Sequence, residues 1–99
     1  MEFQTRSRIN ILIEAPFLRR VMDLLDAEDV EGYTVLPALA GKGEKGRWNR
    51  DGMVTDVDRQ VLVYAVMEPE RVDAVLAKVS AQLSGSVTLM TVEQVQLVL

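Results

Sequence analysis

The residues best placed to do chemistry lie in one polar stretch, residues 41–58, GKGEKGRWNRDGMVTDVD. It holds Gly41, Gly43, Gly46 and Gly52, four of the chain's six glycines, together with charges of both signs and the only tryptophan. The run Gly41-Lys42-Gly43-Glu44-Lys45-Gly46 invites comparison with the phosphate-cradling P-loop. That motif needs GxxxxGK[ST] between a strand and a helix, whereas Gly46 is followed by Arg47-Trp48 and no helix signal, so the motif is rejected. Arg47, Trp48 and Arg50 are residue types enriched at binding hot spots and read as an anchor for a protein partner. The plainer alternative is that Trp48 packs back on the body. Asp51, Asp56 and Asp58 are candidate ligands for a divalent cation, but their spacing is not that of an EF-hand and no histidine supports them. A solvated acidic turn is the simpler reading. With no His and no Cys, and with Ser7, Ser80, Ser84 and Ser86 lacking an evident base, no nucleophile is activated and an enzyme is not expected. The stretch reads as built to contact something. Long polar loops between strands are uncommon in compact domains and are commonly functional.

The flanking elements must position that loop. In RINILIE, residues 8–14, Ile9, Ile11 and Ile13 alternate with Asn10, Leu12 and Glu14, which predicts a strand, with residues 1–7 frayed. Pro16 suits a helix's first turn. Phe17, Leu18, Val21, Leu24 and Leu25 then follow at helical spacing, with Arg19, Arg20, Asp23 and Asp26 on the wet side, up to about Asp29. Residues 33–40 are expected to form a second strand, at an edge or bulge because of Pro37. Residues 60–67, QVLVYAVM, form a third strand that is apolar on both faces. Pro69 opens a second helix with the stripe Val72, Val75, Leu76, Val79 and Leu83, closed by Ser84-Gly85. A fourth strand is expected over 87–92 and a short fifth over 95–99, after a turn at Glu93-Gln94. The order β-α-β, loop, β-α-β predicts an α+β fold, the ferredoxin-like βαββαβ sandwich, with both helices on one face of a four-stranded antiparallel sheet. The other face keeps Leu12, Leu62, Tyr64 and Val66, and is expected to be covered by further subunits of a homo-oligomer.

Composition sets the outer limits. Ninety-nine residues suit one domain, 1–99, of ordinary composition, 48% hydrophobic and 26% charged. A net charge of −4 and a pI near 4.7 argue against a nucleic-acid binder. The absence of cysteine excludes a disulfide framework and thiolate chemistry. No apolar run approaches the length of a membrane span, and the first residues lack a signal-peptide core, so a cytoplasmic protein is expected.

Three short motifs then carry a family likeness: Gly32-Tyr33-Thr34-Val35 at the second strand, Gly41-Lys42-Gly43 at the loop entry, and Val92-Glu93-Gln94-Val95 near the end. Their order and spacing over residues 8–98 resemble the PII signal-transduction proteins. The resemblance implies a homotrimer that binds adenine nucleotides (ATP, ADP or AMP) as effectors in the clefts between subunits, without a tightly bound cofactor. It also implies a "T-loop", residues 41–58, that reports the bound state to a membrane transporter or an enzyme. Carried over by position, Thr34, Gly41 and Gly43 would contact the nucleotide, and Lys42 or Lys45 would bring charge to phosphate. Two segments depart from the family pattern. Residues 83–86, Leu-Ser-Gly-Ser, carry no phosphate-binding lysine, and the chain ends Gln96-Leu97-Val98-Leu99 without the usual arginines. This resembles PII-like offshoots, some linked to bicarbonate or metal transporters, whose ligand is smaller, AMP or ADP, or absent. The alternative is a metal-binding tolerance or efflux accessory protein on the same trimeric fold, using loop carboxylates.

Overall fold

A computed structural model describes residues 1–43, 46–49 and 59–99, with 48 and 49 as backbone. Strand β1, Phe3–Glu14, buries Ile9, Ile11 and Ile13 completely on one face. It begins five residues earlier than its apolar alternation, because residues 3–7 pair with residues 94–98. That pairing satisfies backbone groups while leaving the side chains at 3–5 in water, so no hydrophobic pattern announces it. The final strand, Val87–Val98, is likewise unbroken. Glu93 and Gln94 do not turn; they pair with Arg8 and Ser7, and their polarity reflects exposure.

Pro16 and Pro69 each sit in a 3-10 turn, Ala15–Phe17 and Pro69–Arg71, that leads into a helix. Helix α1, Leu18–Ala27, buries Val21, Leu24 and Leu25. It closes at Asp29, whose φ of 56° is a left-handed conformation that Asp tolerates better than most residues. Helix α2, Val72–Leu83, buries Val72, Val75, Val79 and Leu83. Both helices press on the odd-numbered face of β1 and on Val61, Val63, Ala65 and Met67 of the strand Gln60–Met67, making one hydrophobic cluster.

Between α1 and that strand come three short strands: β2, Thr34–Pro37; β3, Ala40–Gly43; and β4, Gly46–Asn49. With Gln60–Met67 as β5 and Val87–Val98 as β6, the main sheet runs β2-β5-β1-β6 with every pair antiparallel. β5 thus lies between the parallel β1 and β2, the split βαβ arrangement expected. β2 is half the expected length and lies at the edge, where Pro37 needs no ladder donor. β3 and β4 make a separate two-stranded sheet. β6 carries a register shift opposite Leu12/Ile13. Beside it the Thr88 hydroxyl donates to the carbonyl oxygen of buried Gln60 at 2.7 Å.

Among the described residues no helix covers the second face, and the register arranges it in rows. Leu36, Leu62, Leu12 and Leu89 form one row across all four strands. Thr34, Tyr64, Asn10 and Thr91 form the next, then Val66, Arg8 and Glu93. The polar rows are stitched together. The Arg8 guanidinium lies 3.9 Å from the Tyr64 ring centre and donates through Nε to Asn10 Oδ1 at 2.9 Å. Asn10 Nδ2 donates to Thr91 Oγ1 and Glu93 Oε1, each at 3.2 Å.

Candidate functional site

The cleft follows from unequal strand lengths. β2 starts at Thr34, opposite Tyr64, so Ala65–Met67 of β5 have no β2 neighbour, while β1 and β6 run on past the end of β5. The notch is a cleft of about 670 Å³, walled on one side by the connection from Asp29 to Thr34 and on the other by Arg6, Glu68 and Arg71. Its wall mixes the rings of Tyr33 and Tyr64 with two guanidinium groups and the carboxylates of Asp29, Glu31 and Glu68. This suits a ligand with one flat, weakly polar part and a limited negative charge.

Side-chain ties hold the rim. Arg71 donates to the backbone carbonyl of Glu28, and Lys78 pairs with the Glu28 carboxylate, fixing α2 to the end of α1. The Tyr33 hydroxyl donates to Asp26 Oδ1 at 3.1 Å. Its pKa is raised above the usual tyrosine value, first by partial burial, then by the hydrogen bond to Asp26 and the negative charges of Asp26 and Asp23. A raised folded-state value means this contribution to stability is intact below the ordinary tyrosine pKa of about 10 and is lost as pH rises through the folded value. In a Tyr64→Phe background, phenolate absorbance should place the Tyr33 midpoint above that value. Asp26→Asn should bring it down, and an unchanged midpoint would mean the carboxylate does not act on the phenol.

Of the residues singled out in the sequence, Thr34 lines the cleft. Gly41, Lys42 and Gly43 do not; they form β3, opposite Trp48, Arg47 and Gly46 of β4. The glycine-lysine run and Arg47-Trp48, read separately as phosphate and partner elements, are therefore the two strands of one hairpin. Lys45 and Arg50 lie outside the described residues, as do Asp51, Asp56 and Asp58. Among the described residues no three His, Cys, Asp or Glu side chains are grouped to hold a metal. Arg6, Arg71 and Tyr64 were missed as cleft residues. Arg6 fell in the segment read as frayed, and Arg71 belongs to a turn read only as a helix start.

Set against known proteins, the family model for nitrogen regulatory protein P-II matches residues 6–98. A small α+β regulator is thus what the fold defines, and the chain belongs to the P-II family. Solved structures agree. CPII, a nitrogen regulatory PII-like protein from Thiomonas intermedia K12 bound to ADP, AMP and bicarbonate, superposes with a TM-score of 0.85 at 24% identity, covering 97% of this chain and 91% of that one. CPII bound to ADP and bicarbonate gives 0.82 at 25% identity, with coverage of 97% and 91%. A PII-like signaling protein from Thermus thermophilus gives 0.79 at 19% identity, with coverage of 99% and 94%. The matches under 25% identity establish the fold alone. No curated protein matches the sequence. Among the described residues no helix is long and apolar enough to cross a membrane.

Proposed function

We propose that this chain is a single-domain cytoplasmic regulator, 1–99, that works as a homotrimer. An adenine nucleotide with few phosphates binds at its subunit clefts, and residues 41–58 act as the T-loop that controls a membrane transporter or an enzyme. The observation that carries the reading is the 670 Å³ cleft, which places Thr34 beside two tyrosine rings in a P-II-family chain. CPII, of the same fold, is bound to ADP, AMP and bicarbonate. Gly41, Lys42 and Gly43 do not line the cleft of their own chain, so with Lys45 they are the proposed phosphate contacts to a nucleotide held between subunits, where glycine backbone admits close approach and lysine adds a compact positive charge. Arg47, Trp48 and Arg50 are the proposed partner contacts. The trimer reading rests on the uncovered leucine row. It also rests on charge: in a chain of net charge −4, the rows beside the leucines balance Arg8 against Glu93, so copies can meet there without repulsion.

A thermal shift panel of AMP, ADP, ATP, bicarbonate and divalent metals, on protein of measured solution mass, tests this. AMP or ADP at 100 times its Kd should stabilise by about 2.7 kcal/mol. Thr34→Ala should weaken binding roughly three- to tenfold, the worth of one hydrogen bond of about 1 kcal/mol. Indifference to every nucleotide would sink the effector assignment, and a response to metal alone would favour the metal-accessory alternative.

A further inference from the structure

Tyr64 is held from outside the cleft that it lines. Its row-mates on the uncovered face are Thr34 of β2 and Asn10 of β1. Arg8, opposite Val66, is its diagonal neighbour across the ladder, a spacing within reach of long and aromatic side chains. The guanidinium carbon lies 3.9 Å from the ring centre. Tyr64 lines the cleft and Arg8 does not, so the guanidinium meets the ring from the side turned away from it. Arg8 is itself fixed. Its Nε donates to Asn10 Oδ1 at 2.9 Å and lies 3.6 Å from Glu93 Oε1. Asn10 Nδ2 donates to that same carboxylate oxygen at 3.2 Å. The Arg8 side chain is 33% exposed, so solvent screens these contacts only in part. Carboxylate, amide and guanidinium thus form one support, running from β6 across β1 to a ring on β5.

We infer that Arg8 is a positioning residue for the ligand of the cleft, acting through Tyr64. The guanidinium holds the phenol ring in one orientation, and a flat ligand ring stacks on the side that faces the cleft. Two effects favour this. A side chain that must be immobilised when a ligand binds lowers affinity by about two- to tenfold, and Arg8 immobilises Tyr64 beforehand. A cation on one side of the ring also draws π density towards itself. The opposite side is left less negative and better suited to offset stacking. The ligand class so favoured is an electron-rich flat heterocycle such as a purine base, with which Arg8 itself makes no contact. The inference rests on the effector reading in one respect only: the cleft takes the base of a nucleotide.

The test is a double-mutant cycle on AMP binding by calorimetry, with Arg8→Met and Tyr64→Leu, at protein concentrations where the solution mass matches the parent's. Arg8→Met should raise the Kd of AMP about two- to tenfold in the parent and leave it unchanged once Tyr64 is replaced. Arg8→Lys should keep part of the affinity, because an ammonium can still lie over the ring. Glu93→Gln, which leaves Arg8 in place without its carboxylate, should give a smaller loss with the same dependence on Tyr64. A second measurement needs no ligand. Tyr33→Phe leaves Tyr64 as the single tyrosine, and NMR of ring-labelled protein then reads its flip rate. Adding Arg8→Met should raise that rate at least severalfold. Equal losses of AMP affinity with and without Tyr64 make Arg8 a structural residue and overturn the inference, as does an unchanged flip rate. AMP binding that is indifferent to Arg8→Met overturns it too and leaves the effector reading standing. A parent that binds no AMP, whatever its ring does, overturns the effector reading and the ligand role of Arg8 with it.

Discussion

Leu89→Asp is expected to leave monomers that keep their fold, if copies of the chain meet through the leucine row as proposed. Leu89 ends the leucine row on the uncovered face and is 57% exposed within the chain, as Leu36 at the other end is 45% exposed. Neither contributes much to the core, so an aspartate at position 89 costs the isolated chain little. In an assembly that covers the row, the same carboxylate meets leucines from another copy with no partner of its own. Desolvating it costs several kcal/mol on top of the roughly 1.5–3 kcal/mol lost with the buried leucine, so association should weaken at least about 100-fold. Sedimentation equilibrium of the variant beside the parent decides the matter. If both sediment alike, the leucine row is not the contact between copies.

Ile11→Ala should lower unfolding free energy by about 3 kcal/mol, within the 2–5 kcal/mol typical of buried aliphatic truncations. Ile11 is completely buried at the centre of β1, with Val63 of β5 beside it in the ladder and the helices above. A loss of that size is a large fraction of the roughly 5–15 kcal/mol by which such domains are stable. The control is Val92→Ala, which removes a comparable side chain from the same helix-facing side of the sheet. Val92 lies opposite Ile9 but is 50% exposed, so the change there should stay below about 1 kcal/mol. Urea unfolding at one protein concentration, with unchanged m, reads both, since assembly makes apparent stability depend on concentration. Equal losses at the two positions would mean that the helices do not define the core.

Much of this was legible because burial writes a period into the sequence. Ile9-Ile11-Ile13 and the stripe from Val72 to Leu83 each face one hydrophobic cluster, and their spacing alone gave strand and helix. The uncovered face was legible too, since Leu62, Tyr64 and Val66 have no business being apolar on a wet surface. The N-terminal half of β1 and the C-terminal half of β6 were not. Their pairing, Phe3↔Val98 through Ser7↔Gln94, is held by main-chain hydrogen bonds between partners at opposite ends of the chain, with exposed side chains. Nothing periodic records such a ladder, and Glu93-Gln94 therefore resembled a turn. The cleft was half legible. Thr34, singled out by its motif as a nucleotide contact, lines the cleft, whereas Arg6 and Arg71 reach it only through that unseen extension and a turn. The facing of Lys42 and Arg47 depends on hairpin register, which glycine-rich strands specify weakly.

The place of β1 between β5 and β6 also sets the order of events when the chain folds. Of the sheet's four strands β1 is made first and β6 last, and their ladder joins residues as far apart as Phe3 and Val98. Until β6 emerges, one edge of β1 stands open beside an apolar strand, an invitation to pair with a neighbouring chain. Pairing β6 with β1 joins residues more than 70 positions apart, from Ile13 with Val87 to Phe3 with Val98, so this high-contact-order step should govern the folding rate and keep it on the millisecond-to-second scale of strand-dominated topologies. A growing polypeptide can therefore form its two helices early, but it completes the four-stranded sheet only when residues 87–98 are free to dock.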